Sequence, residues 1–231
     1  MAIIEINNLT KEFGSLTALD CVALKLEKGQ IVGLLGPNGS GKTTLIKILN
    51  GLLTPTAGNV TIDGMAPGVE TKKIVAYLPD RNALPDYMTT DKLIGLYEDF
   101  FTDFNRAKAE QMIDDLGIDR NQVLKKMSKG TKEKLQLCLV MAREAEVYLL
   151  DEPIGGVDPA TRDYILRTII SNYNQDAVVL ISTHLIADIE SVLDDVVFIK
   201  EGRVVLHKTA EEIREEKGES VDQLFREVFR C

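Results

Sequence analysis

The chain has 231 residues, 45% of them apolar, and its 27 Lys and Arg against 36 Asp and Glu give a formal charge of −9. A chain of this length buries roughly 70–75% of the surface its unfolded form exposes, which excludes a disordered segment or a small disulfide-stapled fold and fits one large domain or two lobes sharing a core. The acidic balance weighs against general nucleic-acid binding, and apolar runs such as 31–35 and 178–182 fall well short of the roughly 18 residues a spanning helix needs.

The amino terminus lacks the basic-then-apolar order of a secretory signal. Cys21, Cys138 and Cys231 are odd in number and have no metal-ligand spacing, so reduced thiols in a cytoplasmic protein are expected, with no chemistry assigned to them. Ile4 and Ile6, then Val22, Leu24 and Leu26, alternate as in an opening β layer that ends at the turn signal Glu27-Lys28-Gly29. Residues 31–36 form a near-continuous apolar run of the kind a strand buried on both faces produces, leading straight into a glycine-rich loop. A helix is expected from Thr43 to Leu53, with Leu45, Ile46, Leu49 and Leu53 at helical spacing, before a strand through Val60 and Ile62 and a turn at Asp63-Gly64. From about 88 to 145 the period becomes helical, through Leu93, Ile94 and Tyr97, then Met112, Ile113 and Leu116, then Leu135, Leu139 and Ala142. Strand patterns resume at 147–150, 177–182 and 196–200, separated by helical stretches starting near Pro159 and Leu185, an alternation that implies a parallel sheet. Asp158 before Pro159 is a helix start, and Thr209 with Glu212 and Ser220 with Gln223 have capping-box spacing. Val221, Leu224, Phe225 and Val228 give the last helix an apolar face.

The segment Gly36-Pro37-Asn38-Gly39-Ser40-Gly41-Lys42-Thr43, followed by Thr44, fits the P-loop pattern and sits between an expected strand and an expected helix, as that motif requires. Glycines there let successive amides converge on phosphate oxygens, Lys42 adds a point charge near the β- and γ-phosphates, and Thr43 offers a hydroxyl to Mg²⁺. The helix N-terminus adds its partial positive charge. Nucleoside triphosphate binding follows. The strand 147–150 runs into Asp151 and Glu152, so Asp151 is the expected Mg²⁺ holder, through water, and Glu152 the expected base toward an attacking water. Alone, such a pair would be a solvated acidic turn; beside a P-loop the catalytic role is favoured.

With these residues in place the chain resembles the ATP-binding cassette family of ATPases over nearly its whole length. Met127-Ser128-Lys129-Gly130-Thr131 is similar to the family signature Leu-Ser-Gly-Gly-Gln, with Lys129 and Thr131 as departures. The resemblance implies that Ser128 and Gly130 reach the γ-phosphate of ATP held by an opposite subunit. It gives Gly156-Val157-Asp158 as the loop that crosses the dimer interface, and His184 as the histidine that contacts the γ-phosphate and steadies the attacking water. Phe13 matches the aromatic that stacks on adenine, a core role being nearly as well supported. Tyr77-Leu78-Pro79-Asp80 resembles the family's Q-loop with aspartate in place of glutamine, and Asp80 either still serves the metal or is a solvated loop carboxylate.

The fold so implied is α/β: a P-loop NTPase (RecA-like) core with an antiparallel β layer and an inserted α-helical subdomain. Residues 1–82 and 146–231 are expected to form the ATP-binding core and 83–145 the helical subdomain. The implied function is an ATP-hydrolysing subunit that dimerises around two Mg-ATP, as a homodimer or with a related cassette, and drives a separate permease at the cytoplasmic face of the membrane. An exporter is the nearest type, and no nucleic-acid partner is expected. Leu84, Pro85, Tyr87 and Met88 are apolar enough to meet the permease, packing inside the lobe being equally open. A soluble mechanical or regulatory ATPase is the alternative.

Overall fold

The computed structural model describes residues 2–229; Cys231 lies outside them. The chain opens with β1 (Ala2–Phe13), β2 (Leu16–Glu27) and β3 (Gln30–Leu35), followed by α1 (Lys42–Leu49), β4 (Ala57–Ile62) and β5 (Val75–Leu78). Three helices follow, α2 (Thr90–Phe100), α3 (Arg106–Asp115) and α4 (Lys129–Met141), before β6 (Val147–Asp151), α5 (Pro159–Asn172) and β7 (Val178–Thr183). The chain ends through α6 (Ile186–Ile189), β8 (Asp195–Lys200), β9 (Arg203–Thr209), α7 (Ala210–Lys217) and α8 (Val221–Val228).

A three-stranded antiparallel sheet, β2-β1-β4, packs over a six-stranded sheet ordered β5-β6-β7-β3-β8-β9. The larger sheet is parallel except for β9, which returns antiparallel beside β8 through a tight turn. The continuous apolar runs of β3, β6, β7 and β8 have a simple cause, because each strand buries both faces. Val32, Leu34, Leu149, Leu180 and Val197 join α1 and the antiparallel layer in one core. Their neighbours Ile31, Leu35, Leu150, Ile181 and Phe198 join the helices on the other side in a second core. The period of two thus divides each strand between two cores.

Two helices are shorter than the sequence suggests. α1 stops at Leu49 instead of Leu53 because Gly51 adopts φ 66° and the amides of Asn50 and Gly51 bond back to Ile46 and Ile48. The helical stretch near Leu185 amounts to α6 and a 3₁₀ turn, Glu190–Val192. Both capping boxes form, and the Asp158 carboxylate accepts the Thr161 N–H at 3.0 Å. Phe225 of the last helix meets Phe198 edge-to-face, ring centroids 5.5 Å apart.

The helices between β5 and β6 are fastened to the sheet through Arg143, which is 3% exposed. Its guanidinium donates to both carboxylate oxygens of Asp103, at 2.9 Å each from Nε and Nη2, and to the carbonyls of Val75, Lys73 and Lys72. It also lies 3.9 Å above the Phe101 ring. Arg143→Ala removes the cation from a largely dry ion pair and strands three carbonyls, so it is expected to cost about 3 kcal/mol. Chemical denaturation measures this, and an unchanged unfolding midpoint would contradict it.

Candidate active site

β3 ends at Leu35, and the chain turns back over its own strand end before α1 begins. Space dictates Gly36: a Cβ there would come within 2.4 Å of the Ile199 carbonyl oxygen. Backbone geometry dictates Gly41, which caps α1 at φ 109° and whose Cβ would meet the Ala18 carbonyl at 2.6 Å. The loop is pinned from outside as well. The Gly202 N–H, in the turn between β8 and β9, donates to the Ser40 carbonyl at 3.0 Å, and Gly202 accepts from the Asp20 N–H.

The loop borders a cleft of about 580 Å³ lined by Asn38, Gly39, Ser40, Gly41, Lys42, Thr43 and Thr44, with Phe13, Asp80, Glu152 and Glu201 on its other sides. Lys42 is 5% exposed and donates to the carbonyls of Gly36, at 2.7 Å, and Pro37, at 3.2 Å. Burial pulls its pKa down, and the charge of Glu152 opposes that shift.

The register of β6 on β7 places Asp151 directly beside Ser182. Asp151 is fully buried, and its Oδ1 accepts from the hydroxyls of Ser182, at 2.6 Å, and Thr43, at 3.1 Å. Burial raises its pKa and these two hydrogen bonds lower it, while the charges of Asp80 and Glu152 raise it further. Its other oxygen, Oδ2, is buried and has no hydrogen-bond partner, as is also true of Ser40 Oγ. Such orphans call for an explanation.

Glu152 adopts φ 50° and bridges two side chains, those of Lys42 and His184. Oε1 lies 3.4 Å from Lys42 Nζ and Oε2 lies 3.0 Å from His184 Nδ1. The left-handed backbone of a glutamate is an outlier costing about 1–3 kcal/mol, and such outliers gather at working sites. Its N–H is secured twice on Ser182, by the carbonyl and the hydroxyl, each at 3.0 Å.

Phe13 is 46% exposed at the cleft wall, which removes the core alternative. Asp80 lines the cleft and pairs with Arg81 at 3.8 Å. Ser128 and Gly130 sit elsewhere, at the exposed start of α4, where Ser128 accepts the Thr131 N–H at 3.1 Å. Neither they nor Asp158 line the cleft. Sequence reasoning missed Ser182 and the Gly202 contact; a serine inside the apolar run 178–182 was the available signal for the first. Of the apolar residues before α2, Tyr87 is 77% exposed, while Leu84 and Met88 pack against the core.

Comparison with known proteins agrees with this geometry. Residues 19–155 match the family profile described as ABC transporter. The chain belongs to the ABC transporter family. It resembles the family's ATP-binding subunits along its length. A putative ABC transporter ATP-binding protein of Methanosarcina acetivorans is 33% identical over 214 residues, 87% of this chain and 74% of that protein. The SkfA peptide export ATP-binding protein SkfE of Bacillus subtilis is 28% identical over 211 residues, 89% of this chain and 88% of its own. A solved ATP-binding subunit of an ABC transporter superposes with a TM-score of 0.88 at 28% identity, covering 99% of this chain and all of that one. The fold is therefore that of the ABC ATPases, a P-loop core with its antiparallel layer.

Gly41→Ala places a methyl group against backbone in a left-handed conformation and is expected to cost about 1–3 kcal/mol. By tilting the loop it should also weaken nucleotide binding. Thermal unfolding and titration with a fluorescent ATP analogue check both effects, and a parent-like affinity would show that the loop tolerates a side chain there.

Proposed function

We propose that this ABC subunit hydrolyses Mg-ATP and, as one of two cassettes closing around two nucleotides, drives a separate integral-membrane permease of an export system. The observation that carries the hydrolytic step is the position of Glu152, strained in its backbone and braced between Lys42 and His184. An ionised carboxylate only accepts, so the Nδ1–H of a neutral His184 donates to Oε2 and leaves Nε2 as an acceptor. That arrangement orients Glu152 to take a proton from the attacking water and lets His184 steady the water and the γ-phosphate. Lys42 keeps donors for the β- and γ-phosphates, and the amides of Gly39, Gly41, Thr43 and Thr44 serve the same oxygens. Phe13 stacks on the adenine.

The oxygen set fits a hard cation. Asp151 Oδ2 is buried without a partner and the Thr43 hydroxyl adjoins Oδ1 of the same carboxylate. Among the described residues no cluster of three or more His, Cys, Asp or Glu side chains closes around one point. Such a site suits Mg²⁺, which keeps water and phosphate oxygens as ligands. When bound there, the ion would neutralise charge on the β- and γ-phosphates. Asp151 and Thr43 would hold it, and Asp80 would serve it from the cleft wall.

Ser128 is exposed, Gly130 is half-buried beside it, and both lie outside the cleft, which supports their reaching the γ-phosphate of a second cassette, with Asp158 beside the same interface. One chain carries Lys42, Ser128, Asp151, Glu152 and His184, so a symmetric homodimer builds two complete sites. Residues 83–145 then act as the helical lobe and 1–82 with 146–231 as the nucleotide core. No helix of the described residues is long and apolar enough to cross a membrane. We assign the translocation path to the permease, with this subunit bound to it at the cytoplasmic face. Export is favoured by the kinship to SkfE.

Glu152→Gln is expected to keep ATP binding, slow hydrolysis by about 10² or more, and trap an ATP-bound dimer. Phosphate release and size-exclusion chromatography with ATP read the two effects, and normal turnover would remove the base role. Affinity purification from gently solubilised membranes, with Lys42→Ala as a parallel bait, should recover one stoichiometric polytopic protein. Recovery of ribosomes, nucleic acid or soluble proteins alone would move the subunit to the mechanical or regulatory class.

A further inference from the structure

Among the described residues, Ser182 is the one side chain outside the chain's motifs that hydrogen-bonds to both acidic residues of the site. It is fully buried on β7 at the register position facing Asp151. Its hydroxyl donates to Asp151 Oδ1 at 2.6 Å and accepts the Glu152 N–H at 3.0 Å, so both its capacities are used within the site. We propose that Ser182 is a positioning residue for the cation site: its hydroxyl fixes the rotation of the Asp151 carboxylate so that Oδ2 is presented bare. This rests on the assignment of Asp151 to Mg²⁺.

The carboxylate torsion of an aspartate is soft and broad. In this site Oδ1 takes two donors and Oδ2 takes none. Of those donors, Thr43 belongs to α1 and follows the phosphate loop, whereas Ser182 belongs to the central sheet. The sheet-borne donor therefore sets the aim of Asp151 independently of the loop. Loss of the hydroxyl leaves the Glu152 N–H its second acceptor, the Ser182 carbonyl at 3.0 Å, so the effect falls on the cation side of the site.

Partners of this kind, one bond behind a metal ligand, typically change metal affinity by about 10–100-fold when removed. The test is Mn²⁺ titration by electron paramagnetic resonance with ADP bound, on the parent, Ser182→Ala and Asp151→Asn. Ser182→Ala is expected to weaken Mn²⁺ about tenfold or more, to leave nucleotide binding in EDTA as in the parent, and to regain turnover as Mg²⁺ is raised. A purely structural serine would lower the unfolding temperature without moving the Mn²⁺ isotherm. If Asp151→Asn loses Mn²⁺ and Ser182→Ala does not, the positioning role is wrong. If Asp151→Asn binds Mn²⁺ as the parent does, the cation assignment itself falls. Should the alanine variant fail to fold, Ser182→Cys, which nearly keeps the volume and offers only a weak donor, carries the same titration. An intermediate loss of affinity there supports the role, and a parent-like isotherm overturns it.

Discussion

The parallel register of β6, β7 and β3 pairs Asp151 with Ser182 and Leu35 with Thr183, so three neighbouring strands stop at one edge of the sheet. Each continues into a different part of the site: β3 into the phosphate loop, β6 into Glu152 and β7 into His184. Only parallel strands deliver three carboxyl-terminal ends to the same edge, and open α/β sheets bind their ligands there for that reason. The distances follow from this. His184 reaches Glu152 because β6 and β7 are hydrogen-bonded neighbours, and Thr43, after β3, reaches Asp151 across the end of the intervening β7.

The same convergence is expensive. A buried carboxylate at Asp151, a half-buried one at Glu152 and an amine at Lys42 that is 5% exposed share a few ångströms of protein. Desolvation acts against the charged forms of Asp151 and Lys42, raising the pKa of the first and lowering that of the second. Attraction between Lys42 and Glu152 returns part of that cost, and the hydroxyls of Ser182 and Thr43 return more. What remains, with the left-handed Glu152, is supported by the two cores on either side of the sheet, where Val32 and Leu149 on one side and Leu150 and Ile181 on the other are all fully buried. A site under such tension is pre-organised toward phosphate and cation, since both bring charge that the protein has left uncompensated.

Sequence reveals what is local and hides what is assembled. The phosphate loop, the strand ending in Asp151 and Glu152, the Asp158 cap and both capping boxes are readable because each depends on residues a few positions apart. The end of α1 at Leu49 is harder, since Leu53 keeps helical spacing while Gly51 breaks the backbone. Ser182 carries no motif, and its meaning comes from a neighbour thirty-one positions away in the chain, brought beside it by strand pairing. Phe13 could be read as core or cleft until its exposure was known, because hydrophobicity alone does not say which side of a strand end faces solvent. Ser128 is legible as a cap in every sense, yet its place outside the cleft is a property of the fold.

The connection between the helical segment and the cleft is stiff, and a single side chain explains why. Arg143 follows α4 and donates to the carbonyl of Val75, the first residue of β5, at 2.6 Å. β5 is hydrogen-bonded along its length to β6 and leads within four residues to Leu78, after which Pro79 and Asp80 enter the cleft region. The guanidinium also holds Asp103, between α2 and α3, and stacks on Phe101. The helices are therefore held at the start of the strand that leads to Asp80. Bending at that junction would have to break charge-assisted bonds in a nearly dry setting, which are about twice as strong as neutral ones. The helices and the strand that leads to Asp80 are thus tied to each other through one guanidinium.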